Sequence, residues 1–392
     1  MQIDHVHFYV KDAVQTSNWF IRNLRFQEIT TSINGHTYSK AIANKSVFLI
    51  FSSPLNDSSP VAHYLNSYSP GVSDIAFQVN NLEATISQAL SLDSKIIEPP
   101  QQCQLPQGNL KWAKISGWDS VQHTLIENTI SSSLNHQETQ SLFCYFFPNN
   151  QNNKVTASAH SHSIINSNKS IIAIDHVVLN VAVGQLRQAT SWYQAIFGFQ
   201  IQQTFNIQTK RSGLYSQALV DPSGNVQLNL NEPTSADSQI QEFLDHHRGA
   251  GIQHIALRSH NIIETVAQMR SGDVSFLPIP QTYYTQLKQR FQNKLSLPLT
   301  TQEWEKIKNE QILIDWNQTE PNSLLMQIFT KPIFEKPTFF LELIERRKQA
   351  RGFGEGNFQA LFEAVEREQL NKEMRGWIDV ENRVLKKSAA NY

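Results

Sequence analysis

Apolar and polar positions alternate in two segments that each open one half of the chain. They are Ile3-Asp4-His5-Val6-His7-Phe8-Tyr9-Val10 and Ile174-Asp175-His176-Val177-Val178-Leu179-Asn180-Val181. A period of two predicts strands and places Ile174, His176, Val178 and Asn180 on one face. Each strand is followed by a helical stretch carrying an aromatic pair, Trp19-Phe20 or Trp192-Tyr193, and then by a second strand start, Phe26-Gln27 or Phe199-Gln200. Further along, Gly71-Val-Ser-Asp74-Ile-Ala-Phe77 matches Gly251-Ile-Gln-His254-Ile-Ala-Leu257, and both precede a helical pattern. Three matches in the same order mark an internal duplication. Each half is predicted as strand, helix and several short strands, repeated within the half.

The boundaries follow from composition. Residues 1–130 form the first unit and 171–392 the second. Between them, 131–170 is rich in Asn, Ser, His and Gln and reads as a linker, with the apolar patch Leu142–Phe147 docking on one half. His160 and His162 are expected to be solvated linker residues. Near the C-terminus, Gly352-Phe-Gly-Glu-Gly-Asn-Phe358 precedes a helical pattern with Phe358, Leu361, Phe362 and Val365 on one face. The glycines lack the Gly-x-Gly-x-x-Gly spacing of a phosphate cradle and suit a loop folding tightly over something.

Charge and composition narrow the function classes. Lys and Arg number 33 against 34 Asp and Glu, a net charge of −1, which argues against a nucleic-acid partner. No apolar run approaches the roughly 20 residues of a membrane span, and no secretory leader is recognisable at the N-terminus. Only 17% of residues are charged, against roughly 25% in typical domains, and Gln, Asn and Ser fill the difference. Cys103 and Cys144 are too few for a disulfide framework and are expected to be buried thiols of a cytoplasmic protein.

Three strand-like segments of the second half each carry one metal-capable side chain. His176 lies on the first, His254 shares a face with Ala256 on the second, and Glu342 shares one with Phe340 and Ile344 on the third. Two imidazoles and one carboxylate form the facial triad of non-haem iron(II) oxygenases. Zinc takes the same donors, and spacing alone leaves both metals open.

Ile174-Asp-His176-Val-Val, Gly249-Ala-Gly-Ile-Gln-His254-Ile-Ala and Pro337-Thr-Phe-Phe-Leu-Glu342-Leu-Ile-Glu-Arg346 resemble the three ligand segments of the 4-hydroxyphenylpyruvate dioxygenases, within the vicinal-oxygen-chelate superfamily. Arg351-Gly-Phe-Gly-Glu-Gly-Asn-Phe358 resembles that family's C-terminal gate, and Leu324-Leu-Met-Gln327-Ile-Phe-Thr330 also fits. The likeness is dense from about Ile174 to Gln369 and looser in the first half, where it runs through His123-Thr-Leu-Ile-Glu127. It implies an α+β fold of tandem βαβββ modules forming two open barrel-like domains, with a C-terminal helix closing the second. It implies iron(II) held by His176, His254 and Glu342. Gln327, Phe340, Asn357 and Phe358 would act at the reacting centre, and Ser216, Asn231, Gln239, Gln253 and Phe329 would bind substrate. Glu127 and His5 stand at places equivalent to two of the ligands, and Asp74 replaces His254, so no tight metal site is expected in the first half.

The implied reaction converts 4-hydroxyphenylpyruvate and O2 to homogentisate and CO2, in a homodimer or homotetramer. Hydroxymandelate synthase, an extradiol-type ring-cleaving dioxygenase and a metal-free binding protein are the alternatives. Phe358 favours ring hydroxylation, because the synthases tend to carry a smaller aliphatic residue there.

Overall fold

In this computed structural model the structure describes residues 1–105, 108–129, 144–146, 170–208, 213–272, 274–292, 299–315, 323–354, 356–357 and 360. Most of the expected linker, Phe358 and the expected C-terminal helix lie outside the described residues.

The first half runs β1 (Gln2–Tyr9), α1 (Ala13–Leu24), β2 (Gln27–Asn34), β3 (Thr37–Asn44), β4 (Val47–Pro54), α2 (Pro60–Ser67), β5 (Gly71–Gln78), α3 (Leu82–Leu90), β6 (Ile96–Leu105), β7 (Gly108–Ser116) and β8 (Gln122–Asn128). The second repeats this order. It comprises β9 (Ile171–Asn180), α4 (Leu186–Phe197), β10 (Gln200–Gln208), β11 (Gly213–Val220), β12 (Gln227–Pro233), α5 (Gln239–His247), β13 (Gly251–Ser259), α6 (Ile262–Ser271), α7 (Gln281–Gln292), α8 (Thr301–Asn309), β14 (Leu313–Asp315), β15 (Leu324–Phe329) and β16 (Phe340–Arg347).

Each half is one eight-stranded sheet, ordered β2-β3-β4-β1-β5-β8-β7-β6 and β10-β11-β12-β9-β13-β16-β15-β14. The first strand of each βαβββ unit pairs parallel with the unit's last, and the two units join antiparallel through β1–β5 and β9–β13. This is the α+β tandem-module fold expected from the duplication. The helices start where short polar side chains cap them. Asp12 accepts from the Gln15 amide at α1, Asn261 from Glu264 at α6, and Ser238 from Ile240 at α5.

A continuous apolar core joins the modules. His123 of β8 is stacked on Trp192 of α4, lies edge-on to Tyr193 and Phe197, and contacts the Tyr193 hydroxyl at 3.1 Å. Burial lowers its pKa to about 4, so the imidazole is neutral in the seam. Phe77 of β5 packs on the same Phe197 ring, and Phe8 of β1 meets Phe339 edge-on at 5.2 Å.

The two cysteines differ from expectation. Cys103 on β6 and Cys144 are joined as a disulfide, so the reading of two buried thiols is corrected. The cause is the docking of residues 144–146 on the first module. Cys144 packs with Ala76, Leu110, Trp112 and Ile126, while Phe146 packs with Ile29, Phe48 and Ile50. No helix among the described residues is long and apolar enough to cross a membrane.

Phe77→Ala, at a position 1% exposed, is expected to remove roughly 3–5 kcal/mol of stability in urea denaturation. A loss below about 1 kcal/mol would contradict the packed seam.

Candidate metal centre

The centre lies in the cup of the second module, where β9, β13 and β16 are neighbours. In this register His176 faces Ala256, His254 faces Phe340, and Glu342 faces Ala256 from the other side. The donors therefore meet across the strands rather than along one. The Nε2 atoms of His176 and His254 lie 3.3 and 3.6 Å from Glu342 Oε2, and all three side chains are buried. Ligands about 2.1 Å from one ion lie about 3.0 Å apart at right angles and about 3.4 Å apart in a tetrahedron. The two separations bracket the tetrahedral value and exceed the right-angle one, and with all three donor atoms within 4.8 Å of one another a single cation could be shared after a small inward shift. Among the described residues it is the one such cluster of three His, Cys, Asp or Glu side chains.

What stands behind the donors fixes their aim. The Nδ1 of His176 contacts Asp175 Oδ1 at 3.1 Å, which sets the tautomer that points the Nε2 lone pair into the cup. Asp175 is fully buried and is itself held by Arg346 and Arg258. His254 instead lies flat on Phe340, rings 4.6 Å apart, and its Nδ1 has no hydrogen-bond partner among the described residues. Gln327 Nε2 donates to Glu342 Oε1 at 2.8 Å and to the Phe353 carbonyl at 3.0 Å. Asn357 Nδ2 in turn donates to Gln327 Oε1 at 2.9 Å, and Tyr283 hydrogen-bonds the Asn357 amide oxygen from behind.

The electrostatics leave one proton among three groups. Burial alone would lower the His176 pKa, but Glu342 and Asp175 outweigh it and raise the group to about 9. Burial pushes the His254 pKa down, and Glu342 offsets this only in part. Burial pushes Glu342 up, yet the two imidazoles overcome it and bring its pKa to about 2. An ion entering this site competes with the proton on His176.

Ser216, Asn231, Gln239, Gln253, Gln327, Phe329 and Phe340 line a cavity together with the three donors. Ser238 caps α5 and thereby starts the helix at Gln239. Gln253 and His254 are adjacent yet both face the cavity, because a bulge interrupts the β9–β13 register between Ile252 and His254. Asn357 is brought behind Gln327 and does not line the cavity, and Phe358 is outside the described residues. Phe353 and Asn229 also line the cavity and Asp175 backs His176, none of them among the residues expected from the sequence; of the three, Phe353 stands in the glycine run.

The cavity measures about 60 Å³. Phe353 forms one wall of it, with its ring 5.8 Å from that of His176 and near Phe205. Gly354 makes this approach possible. Its φ is +75°, and a Cβ there would collide with the Gln327 amide.

The first module shows the same cup with one donor kept, His5, and the other two replaced. Its register matches Asp74 to His254 and Thr124, not Glu127, to Glu342. The expected equivalence of Glu127 is therefore corrected. Glu127 matches Glu345, and both carboxylates accept the first amide of a helix, Leu82 of α3 and Ile262 of α6. Asp74 accepts from the Thr124 amide and lies 3.4 Å from the Lys114 ammonium, which rises from the place of Phe329.

Because His176 carries a proton up to pH about 9, apparent affinity for cobalt(II) is expected to rise about tenfold per pH unit from 6.5 toward 9 and then level off. A titration that is flat across that range would contradict the proton–metal competition.

Comparison with known proteins agrees with this architecture. Residues 173–297 match the Glyoxalase/Bleomycin resistance protein/Dioxygenase superfamily. The chain is 34% identical to the 4-hydroxyphenylpyruvate dioxygenase of Yarrowia lipolytica, covering 94% of this chain and 92% of that one. It is 33% identical to the enzyme of the same name from Dictyostelium discoideum, over 93% and 97%. An uncharacterized protein of Synechocystis sp. is 35% identical over 93% and 97%. A variant of 4-hydroxymandelate synthase from Streptomyces coelicolor shares the fold, with a TM-score of 0.75 and 22% identity over 94% of this chain and 98% of that one. With a duplicated βαβββ fold and full-length relatives above 30% identity, the chain belongs to the 4-hydroxyphenylpyruvate dioxygenase family of the glyoxalase and dioxygenase superfamily.

Proposed function

We propose that the protein is an iron(II)-dependent dioxygenase that converts 4-hydroxyphenylpyruvate and O2 to homogentisate and CO2. The observation that carries this reading is the convergence of His176, His254 and Glu342 in a pocket walled by aromatic rings and amides. His176, His254 and Glu342 would hold the iron(II), which would supply the redox chemistry for a 2-oxo acid and O2.

The rest is the work of the chain. Phe329 and Phe340 stand edge-on at 6.2 Å and give a flat substrate ring two apolar walls, with Phe353 as the third. Ser216, Asn231, Gln239 and Gln253 present neutral hydrogen-bonding groups, which orient a phenol and a carboxylate without adding charged competitors for the metal. Asn229 lines the same cavity, and its amide oxygen is buried without a partner among the described residues. A buried acceptor of this kind suits a hydroxyl donor on the substrate. Gln327 fastens Glu342, so its first contribution is to hold a metal ligand and the closing loop in place. Phe353 is one wall of this narrow, partly open cavity; movement of its ring would widen the way in for an aromatic substrate, and its return would exclude water from the reaction.

Protein loaded with iron(II) under ascorbate is expected to give homogentisate, with one CO2 released per O2 consumed. 4-Hydroxymandelate or a ring-cleaved product would overturn the assignment.

Glu342→Ala is expected to lose both iron retention and turnover while keeping the wild-type circular dichroism spectrum; an active variant would remove Glu342 from the ligand set. Gln327→Ala should keep its iron and lose roughly 10–100-fold in kcat/KM. Loss of iron with unchanged kinetics on reloading would assign Gln327 to the metal alone.

A further inference from the structure

Arg346 donates hydrogen bonds to two different parts of the second module. Its Nε donates to Asp175 Oδ2 at 2.8 Å and one terminal nitrogen donates to Asp175 Oδ1 at 2.7 Å, a bidentate pair. The other terminal nitrogen donates to the carbonyls of Ala350 at 3.0 Å and Gly352 at 2.7 Å. On one side is the carboxylate that aims His176, and on the other is the start of the loop that carries Phe353 over the cavity. A second arginine, Arg258, binds the same Asp175 carboxylate and, among the described residues, makes no bond to the loop.

The two modules provide an internal comparison. Asp4 and His5 repeat the Asp175–His176 pair, with His5 Nδ1 and Asp4 Oδ1 2.8 Å apart. There Gln78, at the register position of Arg258, donates to Asp4, and Asn128 occupies the register position of Arg346. In the first module a neutral amide thus stands where the second module has the Arg258 guanidinium. What distinguishes the second module is that its imidazole belongs to the metal centre and that a loop closes over it.

We infer that Arg346 is a positioning residue that links closure of the 350–354 loop to the aim of His176, so that cation binding and loop closure favour each other. This rests on the reading of His176 as a metal ligand. The physical argument is geometric. The planar guanidinium cannot keep its fork on Asp175 and both carbonyl bonds if the loop swings away, so opening loosens the carboxylate behind His176. Linkage makes the effect reciprocal, and a cation that draws His176 into place holds Asp175, Arg346 and the loop together. Gln327 adds a second tie between Glu342 and the Phe353 carbonyl, so the loop is fastened behind two of the three donors.

The test is amide hydrogen exchange of residues 350–354 in the full chain with and without cobalt(II), without substrate or turnover. Cobalt is expected to slow exchange there about tenfold in the wild-type protein and in Arg258→Gln, and by less than about threefold in Arg346→Gln. Arg346→Lys keeps a positive charge beside Asp175 but lacks the fork. It is expected to bind cobalt with near wild-type affinity and still lose the loop protection, which separates coupling from general destabilisation. Wild-type protection in Arg346→Gln, or equal loss in Arg258→Gln, would overturn the inference. A wild-type chain that takes up no cobalt would overturn the metal reading itself, a different failure visible before any exchange is measured.

Discussion

The pairing of β13 with β9 on one edge and β16 on the other is the constraint on which the site depends. Neither imidazole comes near the carboxylate through local sequence; a shared register brings them together. The cost of placing two imidazoles and a carboxylate in a buried cup is offset by mutual attraction, which holds Glu342 at a pKa of about 2 and His176 at about 9. A buried charge cluster of this kind is poor as a source of stability and well suited to being exchanged for a cation.

The duplication shows how much of the cup is scaffold and how much is chemistry. Both modules keep the sheet order, the aspartate–histidine pair on the first strand, and the glutamate that caps the helix after the fifth. Inside the cup they part. Asp74 stands for His254, Thr124 for Glu342 and Lys114 for Phe329. In the first module the buried cation is an ammonium supplied by the chain, held by Asp74, Glu98 and the Tyr145 hydroxyl. In the second the same space is bounded by rings, and the positive charge must come from outside or from a proton on His176.

The sequence made some of this legible. Period-two alternation marked β9, β13 and β16, and the duplicated segments announced two similar halves. Spacing could not choose His176, His254 and Glu342 from thirteen histidines and many carboxylates, and the family resemblance did that. Features set by register or by tertiary closure stayed hidden. The bulge that turns Gln253 and His254 to one side leaves no trace in an alternation pattern. Glu127 looked like a ligand because chain position suggests equivalence, whereas hydrogen-bond register assigns Thr124. Asp175, Arg258 and Arg346 read as ordinary strand-end charges until the fold brings them behind one imidazole. The Cys103–Cys144 bond depends on residues 144–146 docking on the first module, which two isolated cysteines do not announce.

The central claim is that one of two duplicated cups binds a single catalytic cation. Anomalous X-ray scattering from crystals of the protein grown anaerobically with iron(II) tests it most directly. The account predicts one peak per chain, bonded to His176 Nε2, His254 Nε2 and Glu342, and no peak beside His5 and Asp74. A peak in the first module, or none among these three side chains, would contradict it.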